Sequence, residues 1–193
     1  MTAKASEYPV LAVDTQKAWR QWLRQNHSSC EGVWLRFFKK DSGRQDLTYA
    51  QALEEALCYG WIDGQSRSND NLSWLQKFTP RRPRSMWSKR NRDHVERLIK
   101  EGRMKPGGLK AIQAAKDDGR WDKAYDSSAQ MKMPSDFLAA LRKDPTAYKF
   151  FKTLTKANTY AIAWRLQTAK KAETWARRMA LLLAMLSRGE KIH

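Results

Sequence analysis

A chain of 193 residues, 41% of them hydrophobic, is long enough to bury one or two cores, and nine Trp, six Tyr and six Phe exclude a disordered chain. Its 37 Lys and Arg against 20 Asp and Glu leave a formal charge of +17, which repels cationic partners and draws polyanions. Two cysteines exclude a disulfide framework, and the longest apolar stretch, Met179 to Leu186, is far short of the about 18 residues that a membrane-spanning helix needs.

In chain order, Val10 to Val13 is too short for a signal-peptide core, so secretion is not expected. Asp14 is placed to cap a helix over Thr15 to Gln25, with Ala18, Trp19, Trp22 and Leu23 at helical spacing. Val33 to Phe38 is β-branched and aromatic, hence a strand, followed by an Asp41-Ser42-Gly43 turn. Thr48 caps a second helix, Tyr49 to Tyr59, stopped by Gly60. Trp61 to Ser68 and Leu72 to Thr79 flank Asn69-Asp70-Asn71 and predict a hairpin. Beyond Pro80 the pattern changes to helices: Lys89 to Glu101 capped by Ser88, Pro106 to Gly119, Asp136 to Arg142 capped by Ser135, Asp144-Pro145 to Leu154, Ala157 to Ala169, and Ala172 to Arg188. Trp121 and Tyr125 are expected to tether the linker from Arg120 to Met133. The fold class is therefore α+β and helix-dominated: a three-stranded antiparallel sheet with flanking helices over 1–125, then a helical bundle over 134–193.

The charge is uneven. Residues 1–75 hold nine basic and nine acidic side chains, whereas residues 76–120 hold 14 against 5 and residues 142–193 hold 12 against 3. These segments either gather into cationic surfaces for a polyanion or line solvated helix faces.

Strand alternation places Asp63, Gln65 and Arg67 on one face, and Arg81, Arg82 and Arg84 precede the helix start at Ser88. Asp63, Arg67, Arg81, Arg82 and Ser88 are thus candidates for an anion pocket, with Trp61, Trp74 and Trp87 as surfaces for stacking. The alternative is an internal ion pair between Asp63 and an arginine. A second basic group, Arg165, Lys170, Lys171, Arg177 and Arg178, crowds the last helix pair and suits either a DNA-facing helix or a plain basic outer side.

Metal or nucleophile chemistry has few residues to use. The histidines are His27, His94 and the terminal His193; His27 and Cys30 make at most half a metal site, and Cys58 sits on an apolar helix face. No Gly-rich phosphate loop is present, and no cofactor or metal is implied.

Several blocks together resemble the bacteriocin-protection family, also called YdeI/OmpD-associated: Gly32-Val33-Trp34-Leu35, Leu47-Thr48-Tyr49, Ala56 through Gly60-Trp61-Ile62-Asp63-Gly64, Phe78-Thr79-Pro80-Arg81-Arg82, Gly119-Arg120-Trp121, and Tyr160 through Thr168-Ala169-Lys170 to Arg177-Arg178. The likeness runs along nearly the whole chain. It departs at Trp175, where the family pattern has Arg after Thr. The resemblance implies a link to envelope stress and tolerance of antimicrobial peptides, with no established catalytic residues.

The sequence therefore predicts a cytoplasmic, non-enzymatic protein that binds nucleic acid or another anionic partner. Two alternatives stay open: an enzyme on a small anionic substrate, with Asp63 as acid or base and Arg67, Arg81 and Arg82 as clamps, or a scaffold for a protein partner.

Overall fold

The computed structural model describes residues 8–44, 47–126 and 130–192, so His193 lies outside the described residues. The chain divides into two compact units, Met1–Trp87 with Asn91–Lys123, and Ser88–Arg90 with Ala124–His193.

The first unit is built on a sheet with strand order β1-β2-β4-β3, formed by β1 (Val10–Leu11), β2 (Val33–Phe38), β3 (Trp61–Ser68) and β4 (Ser73–Pro80). It carries one strand more than the predicted three and is mixed, because β1 pairs parallel with β2 (Val10 opposite Trp34) while the other pairs are antiparallel. Two residues are too few to display a period of two, so β1 has no sequence signature.

Helices α1 (Gln16–Asn26) and α2 (Tyr49–Cys58) pack together and cover one face of the sheet. Thr15, not Asp14, caps α1: its side chain accepts from the amide of Ala18, one turn on. Thr48 caps α2 in a reciprocal box with Gln51, and Thr48→Ala should cost about 1 kcal/mol, read as a shift in urea midpoint without change in slope. Trp19, Leu23, Leu35, Leu53, Leu57, Trp61 and Phe78 are the sealed centre of this layer. Trp19 and Trp22 stack at 5.2 Å, and the buried indole N–H groups of Trp19 and Trp61 find carbonyls: Trp19 donates to Ala52 and Trp61 to His27, each at 3.0 Å.

Glu55 on the buried side of α2 holds this layer together. It accepts from Gln16 at 2.6 Å, from Arg20 at 2.7 and 2.8 Å, and from Arg103 at 2.8 Å, while Glu54 beside it takes Arg97 and Arg103. The unit is completed by α3 (Lys89–Lys100), which buries Val95 and Leu98, and by α4 (Pro106–Asp117). The start of α4 abuts the end of α2, where the amide of Lys105 donates to the carbonyl of Cys58 at 3.0 Å. Burial, with Glu55 close by, pushes the Cys58 thiol up to about 11, so it is a core residue and not a nucleophile at neutral pH.

The second unit is helical: α5 (Ser135–Leu141), α6 (Pro145–Phe151), α7 (Lys156–Gln167) and α8 (Ala172–Ser187). Their shared core is Phe137, Leu141, Ala147, Ile162, Leu166, Leu182, Leu186 and Ile192. Pro134 rather than Ser135 occupies the cap position of α5. Asp144 caps α6 as the sequence predicts, accepting from the amides of Thr146 and Ala147 at 3.0 Å and from the hydroxyl of Ser187. Trp175 packs half-buried against this core. Among the described residues, no helix is long and apolar enough to cross a membrane.

Candidate functional site

The hairpin β3–β4 decides where the predicted site residues go. Asp63 is opposite Phe78, but the next aligned pair is Ser66 opposite Gln76, so Gly64 and Gln65 together face Lys77 in a β-bulge. The buried Gln76 side chain satisfies the bulge, donating to the carbonyls of Gly64 at 2.8 Å and Gln65 at 3.2 Å. One extra residue reverses the alternation. The expected common face for Asp63, Gln65 and Arg67 is therefore lost: Asp63 shares the helix-covered face with Phe78, while Arg67, opposite Leu75, is on the other.

On its own side Asp63 accepts from the Tyr49 hydroxyl at 2.7 Å. Tyr49 in turn meets Trp74 at 6.1 Å, and Trp74 stacks on Phe37 at 4.9 Å. Trp74 also lines a cavity of about 590 Å³ with Lys39, Lys40 and Arg44. The other two candidates for stacking are sealed: Trp61 and Trp87 are each 1% exposed and present no ring to a ligand. Aromatic count alone could not tell them apart from Trp74.

The face opposite the helices carries Trp34, Arg36, Phe38, Ile62, Arg67, Leu75, Lys77 and Thr79. Here cations lie over rings. The Arg67 guanidinium is 4.4 Å and the Lys77 ammonium 5.9 Å from the centre of Trp34, and Lys77 is 4.9 Å from that of Tyr8. Arg36 and Arg44 sit 4.6 and 4.1 Å from that of Phe38, each with a carboxylate as well, Asp70 and Asp14 respectively. A guanidinium laid on a ring is held in place by that contact, with its N–H groups in the plane parallel to the ring.

Lys77 also joins this face to the loop after β4. With Ile62, Gly64, Thr79, Arg82 and Arg84 it lines a cavity of about 390 Å³ that includes no acidic side chain. The loop is fixed by backbone bonds, from Arg81 to Gly60 at 2.9 Å and from Ser85 to Arg82 at 3.0 Å, and by Arg120, which donates to the Ser85 carbonyl at 2.7 Å. Arg84 adopts a left-handed φ of 65°, a conformation that costs a non-glycine residue about 1–2 kcal/mol. Lys77, Arg82 and Arg84 make no ion pair among the described residues.

The cavity holding Arg82 is lined by neither Asp63 nor Arg81. Arg81 instead lies 3.8 Å over the buried Trp87 ring and donates to the Met86 carbonyl at 2.8 Å. Ser88 is buried at 8% exposure and bridges to Tyr125. The acid–base constellation of Asp63 with Arg67 and Arg81 does not assemble. Sequence reasoning missed Trp34, Lys77 and the Glu54–Glu55 network; the alternation Trp34-x-Arg36-x-Phe38 on β2 was the available signal for the first.

In the second unit, Arg165, Arg177 and Arg178 of the predicted basic group do converge, on a cleft between α7 and α8, and Lys170 and Lys171 stand in the turn between the helices. Elsewhere, His27 Nδ1 bonds the Leu23 carbonyl at 2.9 Å and Cys30 the Gly32 carbonyl at 3.4 Å. No group of three or more His, Cys, Asp or Glu that could hold a metal ion occurs among the described residues.

Comparison with known families divides the chain much as its folding does. Residues 11–111, more than half of the chain, match the family model described as a domain of unknown function, DUF8412. The chain belongs to the DUF8412 family. Residues 130–189 match a second model, bacteriocin-protection, YdeI or OmpD-associated (OmdA), the family that the sequence resembles. The DUF8412 match contains the sheet, the bulge and the Phe78–Arg82 block, and the OmdA match contains α5 to α8. No curated protein and no solved structure matches the chain.

Proposed function

We propose that the sheet face opposite α1 and α2 binds the phosphate backbone of a nucleic acid, without catalysis, through Arg67, Lys77, Arg82 and Arg84. The observation that carries this reading is the bulge: it puts Arg67 on the face away from Asp63, the one carboxylate of β3, and so beside Lys77, which also lines the cavity with Arg82 and Arg84. Trp34 holds two of them over its ring, so little side-chain entropy is lost when a phosphate arrives. Such a partner places the protein in the cytoplasm, where the free thiols Cys30 and Cys58 also persist. A bacteriocin-protection role of the kind that the OmdA description names would then act through nucleic acid, since like charges repel a cationic peptide from this surface.

Fluorescence anisotropy of a labelled single-stranded oligonucleotide, titrated at several salt concentrations, tests the proposal. Four phosphate contacts predict a slope of log K against log salt of about −3, and Arg67→Ala with Arg82→Ala should reduce it by about 1.4. An affinity indifferent to salt, or a slope unchanged in the double variant, would remove the sheet face as the site.

A further inference from the structure

The cleft between α7 and α8 differs in kind from the sheet face. It has a volume of about 450 Å³, within the range of small-molecule sites, and is lined by Trp164, Arg165, Arg177, Arg178, Leu181 and Leu182. Its chemistry comes from the helical spacing of the two helices. On α8 the core stripe is Met179, Leu182, Leu183 and Leu186, and Leu181 falls outside it; on α7 Ile162, Ala163 and Leu166 go inward and Trp164 falls outside. Trp164 and Leu181 are consequently 37% and 54% exposed, two of the large apolar side chains that the fold leaves in water. The indole is not loose: the Tyr125 ring meets it edge-on at 6.1 Å.

Three guanidinium groups border these apolar walls, and no acidic side chain lines the cleft. Arg178 is committed to the end of α7, donating to the Arg165 carbonyl at 2.6 Å and to the Thr168 hydroxyl at 3.3 Å. Arg177 makes no hydrogen bond or ion pair among the described residues. An exposed Trp and Leu lining one concavity are apolar area that solvation does not need, and Leu181 offers no flat face on which a base could stack. An apolar body with one anionic head satisfies both features, because the walls leave water while the head meets a guanidinium.

We propose that the α7–α8 cleft binds a small organic anion with an apolar body, of the class of a medium-chain carboxylate, with Arg177 at the head group and Trp164 and Leu181 flanking the chain. The site is independent of the sheet face and does not rest on the nucleic-acid reading. Isothermal titration of the full chain with octanoate, with 1-octanol as the neutral counterpart and acetate as the anion without a body, tests it. Octanoate should bind one to one, and the other two at least about tenfold more weakly, as expected when a charged hydrogen bond or the apolar contact is missing. Arg177→Gln and Leu181→Asp, both at exposed positions, should each weaken octanoate binding about tenfold with the thermal midpoint preserved, and Arg67→Ala with Arg82→Ala should leave it unchanged. Octanol binding as tightly as octanoate, octanoate binding by either cleft variant as tight as that of the parent, or no saturable octanoate binding would each overturn the site.

Discussion

Glu55→Ala should lower the stability of the first unit by about 3 kcal/mol at neutral pH, the largest loss expected from a single polar side chain here. The carboxylate is 1% exposed and takes hydrogen bonds from Gln16, Arg20 and Arg103, so its removal strands donors from α1 and from the segment before α4 at the same point. The figure lies at the lower end of the range for broken buried pairs, because Arg20 is half exposed and can return to water and Arg103 keeps Glu54. Glu55→Gln, which retains the volume and one acceptor, should lose less.

The pH dependence follows from the same contacts. Burial alone would raise the Glu55 pKa, but hydrogen bonds from Arg20, Gln16 and Arg103 outweigh it and hold the carboxyl below its ordinary value. A depressed folded-state pKa means that the stabilisation is complete above the unfolded value of about 4.3 and disappears as pH falls through the folded one. Urea unfolding followed by far-ultraviolet circular dichroism should therefore find Glu55→Gln destabilised at pH 7 and converging on the parent in acid. A variant whose deficit stays constant from neutral pH into acid contradicts the role given to Glu55.

Gly60→Ala is expected to cost about 3 kcal/mol and, unlike a simple core defect, to weaken oligonucleotide binding as well. Two costs add. Gly60 has φ of 79°, where a side chain costs about 1–2 kcal/mol. Its added methyl would also lie 2.7 Å from the carbonyl oxygen of Gly107, a backbone atom that cannot swing aside, and overpacking of that kind costs about 1–3 kcal/mol. Gly102→Ala is the matching control: φ is 67°, but nothing lies within 4 Å, so only the first cost should appear. The functional loss comes through the Gly60 carbonyl, which accepts from the Arg81 amide at 2.9 Å and so anchors the loop carrying Arg82 and Arg84. Equal midpoints for the Gly60 and Gly102 variants would contradict the steric part, and unchanged oligonucleotide affinity the anchoring part.

What could be read from the sequence was local. β2 at Val33–Phe38 and β3 at Trp61–Ser68 fall where predicted, and α2, α3, α7 and α8 to within two residues, because each is announced by its own periodicity and by a cap or glycine beside it. The helix-dominated α+β class follows from those elements together. The misses are non-local. The partners of Glu55 lie 35, 39 and 48 residues away in sequence, and no spacing rule connects them. The common face expected for Asp63, Gln65 and Arg67 is lost for a different reason: a strict period of two does not run through Asp63-Gly64-Gln65, and an internal glycine is the usual mark of a break in that period. Trp61 and Trp87 were indistinguishable from Trp74 because burial depends on what packs above them.

That doubled position opposite Lys77 has a consequence for any relative to which the chain is aligned. If a homologue without the bulge is aligned here with no gap, columns up to Asp63 keep their side of the layer and columns after Gln65 exchange it, so an arginine that looks equivalent by column would project into the interior in one protein and into solvent in the other. Deleting Gln65 would close the bulge and leave Ser66, Arg67 and Ser68 opposite Gln76, Leu75 and Trp74 on the sides they occupy now, whereas pairing the intact strand without a bulge would exchange their inside and outside assignments in one step.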